Sequence, residues 1–219
     1  MPAEGEIKIK ICGVTLPDDA ARVAAAGVDF IGLNFWAGSK RRVEVERAAE
    51  LAAAIRGAGP ARIVGVFVDA RPIEIATAVA RVNLDVLQLH GAESPGFAAT
   101  LAADSRRPVW KAIAAGAAGD LDQLEAWDAG IDAILLDAPA PGKGGGGVPF
   151  DWELARAARV RHPSRRFLLA GGLTPDNVAV AVAAVRPWAV DVASGVESSP
   201  GVKDPGKVAA FVAAARGGR

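Results

Sequence analysis

The chain alternates two textures. Runs of β-branched and other apolar residues fall at 7–12, 29–35, 62–68, 85–89, 108–113, 132–137, 167–170 and 189–194. Near-continuous hydrophobicity in so short a run is the mark of a strand covered on both faces, as in a parallel sheet. Between these runs lie Ala/Arg/Glu-rich stretches with apolar residues at helical spacing: 18–26, 45–56, 72–81, 121–127, 152–160, 176–185 and 205–215, with a shorter one at 95–103. Asp18 and Asp19 occupy a first turn, and Thr174-Pro175-Asp176 puts proline at a helix start.

Eight strand–helix pairs in 219 residues give about 27 residues per unit, close to the least a βα repeat needs. Such an alternation can close into a barrel or stay open as a doubly wound sheet. Internal echoes favour closure. Gly27-Val28-Asp29-Phe30-Ile31 resembles Gly130-Ile131-Asp132-Ala133-Ile134, and Asn83-Leu84-Asp85-Val86-Leu87 and Trp188-Ala189-Val190-Asp191-Val192 share the texture. These are the second, sixth, fourth and eighth strands, and a repeat on alternate strands suits a ring of equivalent units. The expected fold is α/β: a single (βα)8 TIM barrel of eight parallel strands over residues 1–219. The glycine run 142–147 falls between a strand and its helix and reads as a flexible loop.

Composition narrows the function. The 25 basic and 25 acidic residues cancel, so there is no large positive field for nucleic acid or a membrane surface. No apolar stretch approaches the roughly 18 residues of a membrane span. One cysteine excludes an internal disulfide framework and multi-cysteine metal sites, and two histidines exclude a histidine-rich one. The lone thiol and the acidic start of the chain point to the cytoplasm. No exposed apolar stripe asks for a partner, so a monomer is expected.

In a barrel of this kind the active site lies at the C-terminal ends of the strands. The polar residues there are Cys12, Asn34, Asp69, His90, Asp137 and Ser194-Gly195. Cys12 is the first candidate. A lone cysteine is commonly a small buried hydrophobe. At a strand end followed by Gly13, however, it suits a base or nucleophile if a cation favours the thiolate. Lys10, two residues back on the same face, supplies one. Asp137 ends an apolar strand with no helix start close behind it to cap, and apolar walls raise a carboxyl pKa toward general-acid use. Gln88 and His90 share one face of the fourth strand, and Asp191 lies deeper in the eighth. Gly171-Gly172 after the seventh strand and Ser194-Gly195 after the eighth fall where barrels hold phosphate with backbone N–H groups. Each glycine turn alone is a weak signal, since tight turns also need glycine. The 142–147 glycines lack the spacing of a nucleotide P-loop. Arg41 reads either as part of a solvated basic turn or as a clamp for a carboxylate. Trp36 beside it either stacks on an aromatic ring or covers the rim. The other tryptophans read as structural.

Lys10-Ile11-Cys12-Gly13-Val14-Thr15 resembles the N-terminal signature of the phosphoribosylanthranilate isomerase family. The resemblance continues in register through Gly32-Leu33-Asn34-Phe35-Trp36, Ser39-Lys40-Arg41, Val64-Gly65-Val66-Phe67-Val68, Leu87-Gln88-Leu89-His90-Gly91 and Leu135-Leu136-Asp137. It ends with Gly171 to Val178, Val190 to Glu197 and Gly201-Val202-Lys203-Asp204. The resemblance implies a cofactor-independent Amadori rearrangement of a small phosphosugar in tryptophan biosynthesis, with no metal. It implies Cys12 as general base and Asp137 as general acid, with Arg41 on the anthranilate side. Gly171, Gly172, Ser194 and Gly195 would hold the phosphate, and Gln88, His90 and Asp191 complete the substrate site. The chain departs from the family pattern at Ala170 and Ala193, where serine is frequent, and at Ala37-Gly38, where proline is common. Other phosphosugar barrels, which use paired aspartates or Lys/Glu catalysis, are set apart by Cys12. A non-catalytic phosphometabolite-binding barrel would most plausibly have lost Cys12 or Asp137.

Overall fold

The computed structural model describes residues 6–127, 130–138 and 150–218. The glycine run 142–147 lies outside them. Eight parallel strands close a barrel in sequential order: β1 (Lys8–Cys12), β2 (Phe30–Asn34), β3 (Arg62–Phe67), β4 (Val86–Leu89), β5 (Val109–Ala114), β6 (Ala133–Asp137), β7 (Phe167–Leu169) and β8 (Ala189–Val192). Around them pack α1 (Pro17–Ala25), α2 (Val45–Ala58), α3 (Pro72–Val82), α4 (Pro95–Ser105), α5 (Trp152–Arg161), α6 (Val178–Val185) and α7 (Pro205–Gly217). A two-stranded antiparallel hairpin, β9 (Glu197–Ser199) and β10 (Val202–Lys203), follows β8. Among the described residues no helix is long and apolar enough to cross a membrane.

Strand parity divides the apolar residues into two cores. Ile9, Ile11, Ile31, Leu33, Ile63, Leu87, Leu89, Ile134, Leu136 and Val190 face the helices in one continuous cluster. The alternate positions Phe30, Val64, Val66, Val86, Trp110, Ala112, Ala133, Leu135, Leu168 and Ala189 form a separate cluster inside the barrel. Phe30, Trp110 and Trp188 plug its N-terminal end. Phe30 and Trp110 meet edge to face at 4.9 Å, and Trp110 and Trp188 do so at 5.7 Å. Such pairs add about 1 kcal/mol each beyond their area burial.

The echoes on alternate strands have a physical cause. Asp29, Asp85 and Asp132 stand just before β2, β4 and β6. Each carboxylate accepts a backbone N–H of the preceding strand: from Ile9 at 2.9 Å, Ile63 at 2.8 Å and Val109 at 3.0 Å. Each Asp backbone N–H returns a bond to the carbonyl of the same residue. The β8 echo differs. Trp188 occupies the bottom position, and Asp191 lies three residues further along, inside the barrel.

Two expected helices are corrected. The segment 121–127 belongs to a 3₁₀ helix, Ala118–Trp127. Its buried residues are Leu121, Leu124 and Trp127, a spacing of three that suits three residues per turn. The helix expected over 176–185 starts at Val178, because Asn177 folds back. Its Oδ1 accepts from Thr174 N (2.8 Å) and its Nδ2 donates to the Gly172 carbonyl (3.0 Å).

Asp85→Ala removes the acceptor for the Ile63 N–H and is expected to lower stability by about 1–2 kcal/mol. Urea unfolding measures this. An unchanged midpoint would remove the bottom carboxylates from the fold's support.

Candidate active site

Cys12 ends β1 and Asp137 ends β6, three strands apart round the ring by way of β8 and β7. Both face the mouth opposite the aromatic plug. Gly32 sits beside Cys12 on β2 because there is no room for a side chain: a Cβ there would come within 2.7 Å of the Cys12 sulfur. Gly13 follows in the left-handed region at φ +76°, and its Cβ would strike the stem of Arg41.

Beneath Cys12, Lys10 is fully buried, and its Nζ donates to Asp191 Oδ2 at 2.9 Å. Burial alone would lower the pKa of this ammonium. The Asp191 carboxylate and the Cys12 sulfur reverse that and hold its pKa above the ordinary lysine value. The expectation that Lys10 would make Cys12 a ready thiolate is corrected. Burial pushes the thiol up and Asp191 adds to the push, and the opposing pull of Lys10 and Lys203 does not overcome them.

Asp137 matches expectation. Burial, reinforced by the charge of Asp191, raises its carboxyl from 3.8 to about 6. His90 moves the other way. Burial, helped by the nearby Lys10 ammonium, lowers it from 6.5 to about 4, so the ring is neutral at pH 7. The Gln88 amide nitrogen donates to His90 Nδ1 at 3.1 Å, so the ring proton sits on Nε2. That nitrogen faces Asp137 Oδ2 at 3.7 Å. Gln88 Oε1 and Asp191 Oδ1 are buried acceptors with no hydrogen-bond partner, an unusual state that a bound donor would relieve.

The turns after β7 and β8 lie together. Gly171 and Gly172 adopt φ of +83° and +67°. Gly195 packs so closely on the Leu173 carbonyl that any Cβ there would collide with it. Ser194 and Gly195 form a short 3₁₀ turn over Ser194–Val196.

Asn34 and Asp69 are not brought into the site. Asn34 Oδ1 accepts from Trp36 N (2.9 Å), and Asp69 Oδ1 accepts from Ala92 N (2.6 Å), so both shape rim turns. Sequence reasoning missed Glu197, which grips the Arg41 guanidinium with both oxygens at 2.8 and 2.7 Å. Arg41 is therefore no solvated turn residue. The signal for Glu197 was its place in Val196-Glu197 directly after the phosphate-type turn, but no spacing rule joins it to a residue 156 positions away.

The family model described as N-(5'-phosphoribosyl)anthranilate (PRA) isomerase matches residues 9–214. The chain belongs to this family. A relative from Paramagnetospirillum magneticum, an N-(5'-phosphoribosyl)anthranilate isomerase, is 44% identical over 97% of this chain and 99% of its own. The crystal structure of the phosphoribosyl anthranilate isomerase from Thermotoga maritima superimposes with a TM-score of 0.87 at 36% identity, covering 96% of this chain and 99% of that one. Another structure of such an isomerase, in complex with reduced 1-(o-carboxyphenylamino)-1-deoxyribulose 5-phosphate, matches with a TM-score of 0.84 at 34% identity over 96% and 99% of the two chains. Phosphoribosylanthranilate isomerases convert N-(5-phosphoribosyl)anthranilate into 1-(2-carboxyphenylamino)-1-deoxyribulose 5-phosphate in tryptophan biosynthesis, an aldose–ketose isomerisation without a cofactor.

The raised carboxyl at the site carries a stability consequence. The folded state holds the Asp137 proton more tightly than the unfolded chain, so this group's contribution is full below about pH 4 and lost as pH rises through about 6. Asp137→Asn is therefore expected to stabilise the protein at pH 7 by on the order of 2 kcal/mol. The gain should vanish near pH 4. Denaturant unfolding at both pH values checks this.

Proposed function

We propose that Asp137 and Cys12 carry the two proton transfers of the isomerisation, as general acid and general base. The observation that carries the reading is two proton-transfer groups of widely different pKa at one barrel mouth. Asp137, at about 6, keeps a proton-bearing fraction of about a tenth at pH 7. Its proton goes to the furanose ring oxygen. The C1′–O bond breaks, and the electron pair of the substrate's own nitrogen forms the iminium. The Cys12 thiolate then takes the C2′ proton, and the C–H electrons neutralise the iminium as an enolamine. Tautomerisation gives the ketone. The substrate nitrogen supplies the electron sink.

The remaining residues bind. Arg41 faces the anthranilate carboxylate with the donors that Glu197 does not occupy. The unpartnered acceptors Asp191 Oδ1 and Gln88 Oε1 take donors from the sugar hydroxyls. The neutral His90 ring presents Nε2–H beside Asp137 without competing for its proton. Backbone N–H groups at Gly171, Gly172, Ser194 and Gly195 take the phosphate, so Ala170 and Ala193 remove only side-chain hydroxyl donors. We read the enzyme as one catalytic domain and a cytoplasmic monomer. Among the described residues the large exposed apolar side chains, Leu16, Ile73, Val160 and Val180, are scattered over separate elements, and the one thiol is unpaired.

Loss of anthranilate-ring fluorescence from fresh N-(5-phosphoribosyl)anthranilate tests the reading. The wild type is expected to turn over, with Cys12→Ser and Asp137→Asn each slower by about 10²–10⁴-fold. An inactive wild type that still binds the product would leave a binding protein only. The pH profile is a second test. The active form needs Asp137 protonated and Cys12 ionised, so between their two pKa values the gain in one fraction offsets the loss in the other. We expect kcat/KM to be flat from about pH 6 up to the raised pKa of Cys12, and to fall tenfold per pH unit below that range and again above it. A profile still climbing steadily from pH 6 to 8 would refute the assignment of Asp137 as acid.

A further inference from the structure

Glu197 lies outside the barrel strands, at the start of β9, yet three parts of the site converge on it. Its Oε1 accepts from Arg41 Nε (2.8 Å), Lys203 Nζ (2.8 Å) and Gly201 N (3.2 Å), and its Oε2 from Arg41 Nη2 (2.7 Å). Lys203 Nζ also donates to the carbonyls of Cys12 (2.7 Å) and Ala193 (3.1 Å). Its own backbone N–H is held by Asp19 Oδ2 at 2.8 Å. The Glu197 and Lys203 side chains are 5% and 1% exposed, and that of Arg41 16%. The hairpin thus ties the end of β1, the loop after β2 and the end of β8 through one carboxylate.

We propose that Glu197 is the positioning residue that makes Arg41 a directional carboxylate receptor, with Lys203 as the second cation of the same cluster. Two cations on one anion leave a net charge of +1, suited to one carboxylate on the substrate. The bidentate grip fixes the guanidinium plane and spends Nε and one Nη2 proton, leaving Nη1 to donate. The Arg41 stem lies over Gly13, next to Cys12, so a carboxylate taken there is held beside the base. An amide in place of Glu197 would set an NH₂ group against Arg41 or Lys203 and leave the buried Lys203 and the half-buried Arg41 without that counter-charge.

This inference rests on the reading of Arg41 as the carboxylate clamp, and the test separates the two. The probes are reduced 1-(o-carboxyphenylamino)-1-deoxyribulose 5-phosphate and the same compound with hydrogen in place of the carboxylate, titrated by calorimetry. The wild type is expected to prefer the carboxylate ligand by about tenfold or more. Arg41→Met should abolish most of that preference, and Glu197→Gln should abolish it to a similar degree while binding of the carboxylate-free ligand changes little. Glu197→Asp keeps the charge but shortens the reach, and should weaken the preference too if the amide variant does not fold. The inference is overturned if the Glu197 variants keep the wild-type preference while Arg41→Met loses it. It is equally overturned if they weaken both ligands alike, as a general scaffold residue would. If Arg41→Met itself keeps the preference, the clamp reading falls, and this inference with it.

Discussion

A buried ammonium group needs a counter-charge, and the contact of Lys10 with Asp191 is what allows ionised groups at the centre of this barrel. Removing either partner from such a pair typically costs about 3–5 kcal/mol. The pair lies one layer below the mouth, and its charges bear on Cys12, His90 and Asp137 above it. Asp191 raises the Asp137 carboxyl and opposes ionisation of Cys12; Lys10 favours the thiolate and helps to keep His90 neutral. The pair's near-neutrality has a mechanistic result. Burial holds both the Cys12 thiol and the Asp137 carboxyl above their ordinary values; Asp191 adds to both shifts and Lys10 opposes both. With Asp191 alongside, both groups keep raised values, and the site retains a proton donor together with a base of high proton affinity.

The two ends of the barrel serve opposite ends. The N-terminal end is closed by Phe30, Trp110 and Trp188 and tied by the repeated aspartates, with strand N–H groups paired to carboxylates. The C-terminal end carries unpartnered buried acceptors, a carboxyl raised by burial and glycines in the left-handed region. Stability gathered at one end tolerates strain at the other, the usual division of labour in this architecture.

Much of this was legible because it depends on local chemistry. Continuous apolar runs located all eight strands within a residue or two, since a strand buried on both faces leaves no room for polar alternation. The echo on even strands reflects one repeated task, the aspartate that accepts from the preceding strand. Parity placed Lys10 on the same face as Cys12, and Gln88 on the same face as His90. The 3₁₀ segment was missed because a spacing of three over one short stretch also fits an α-helix.

By itself the sequence determined the βα alternation, the strand-end position of Cys12 and Asp137, and the family signature that links them. Only the tertiary structure decided which charges meet. Glu197 and Arg41 are 156 residues apart, Lys10 and Asp191 181, and Lys203 and Cys12 191. Their pairing is set by ring closure between β1 and β8 and by the hairpin folded over that seam. Burial is likewise a property of the closed barrel. A pKa depends on what surrounds a group in three dimensions, so the upward shift of Cys12 against its neighbouring lysine emerges only once the ring has closed.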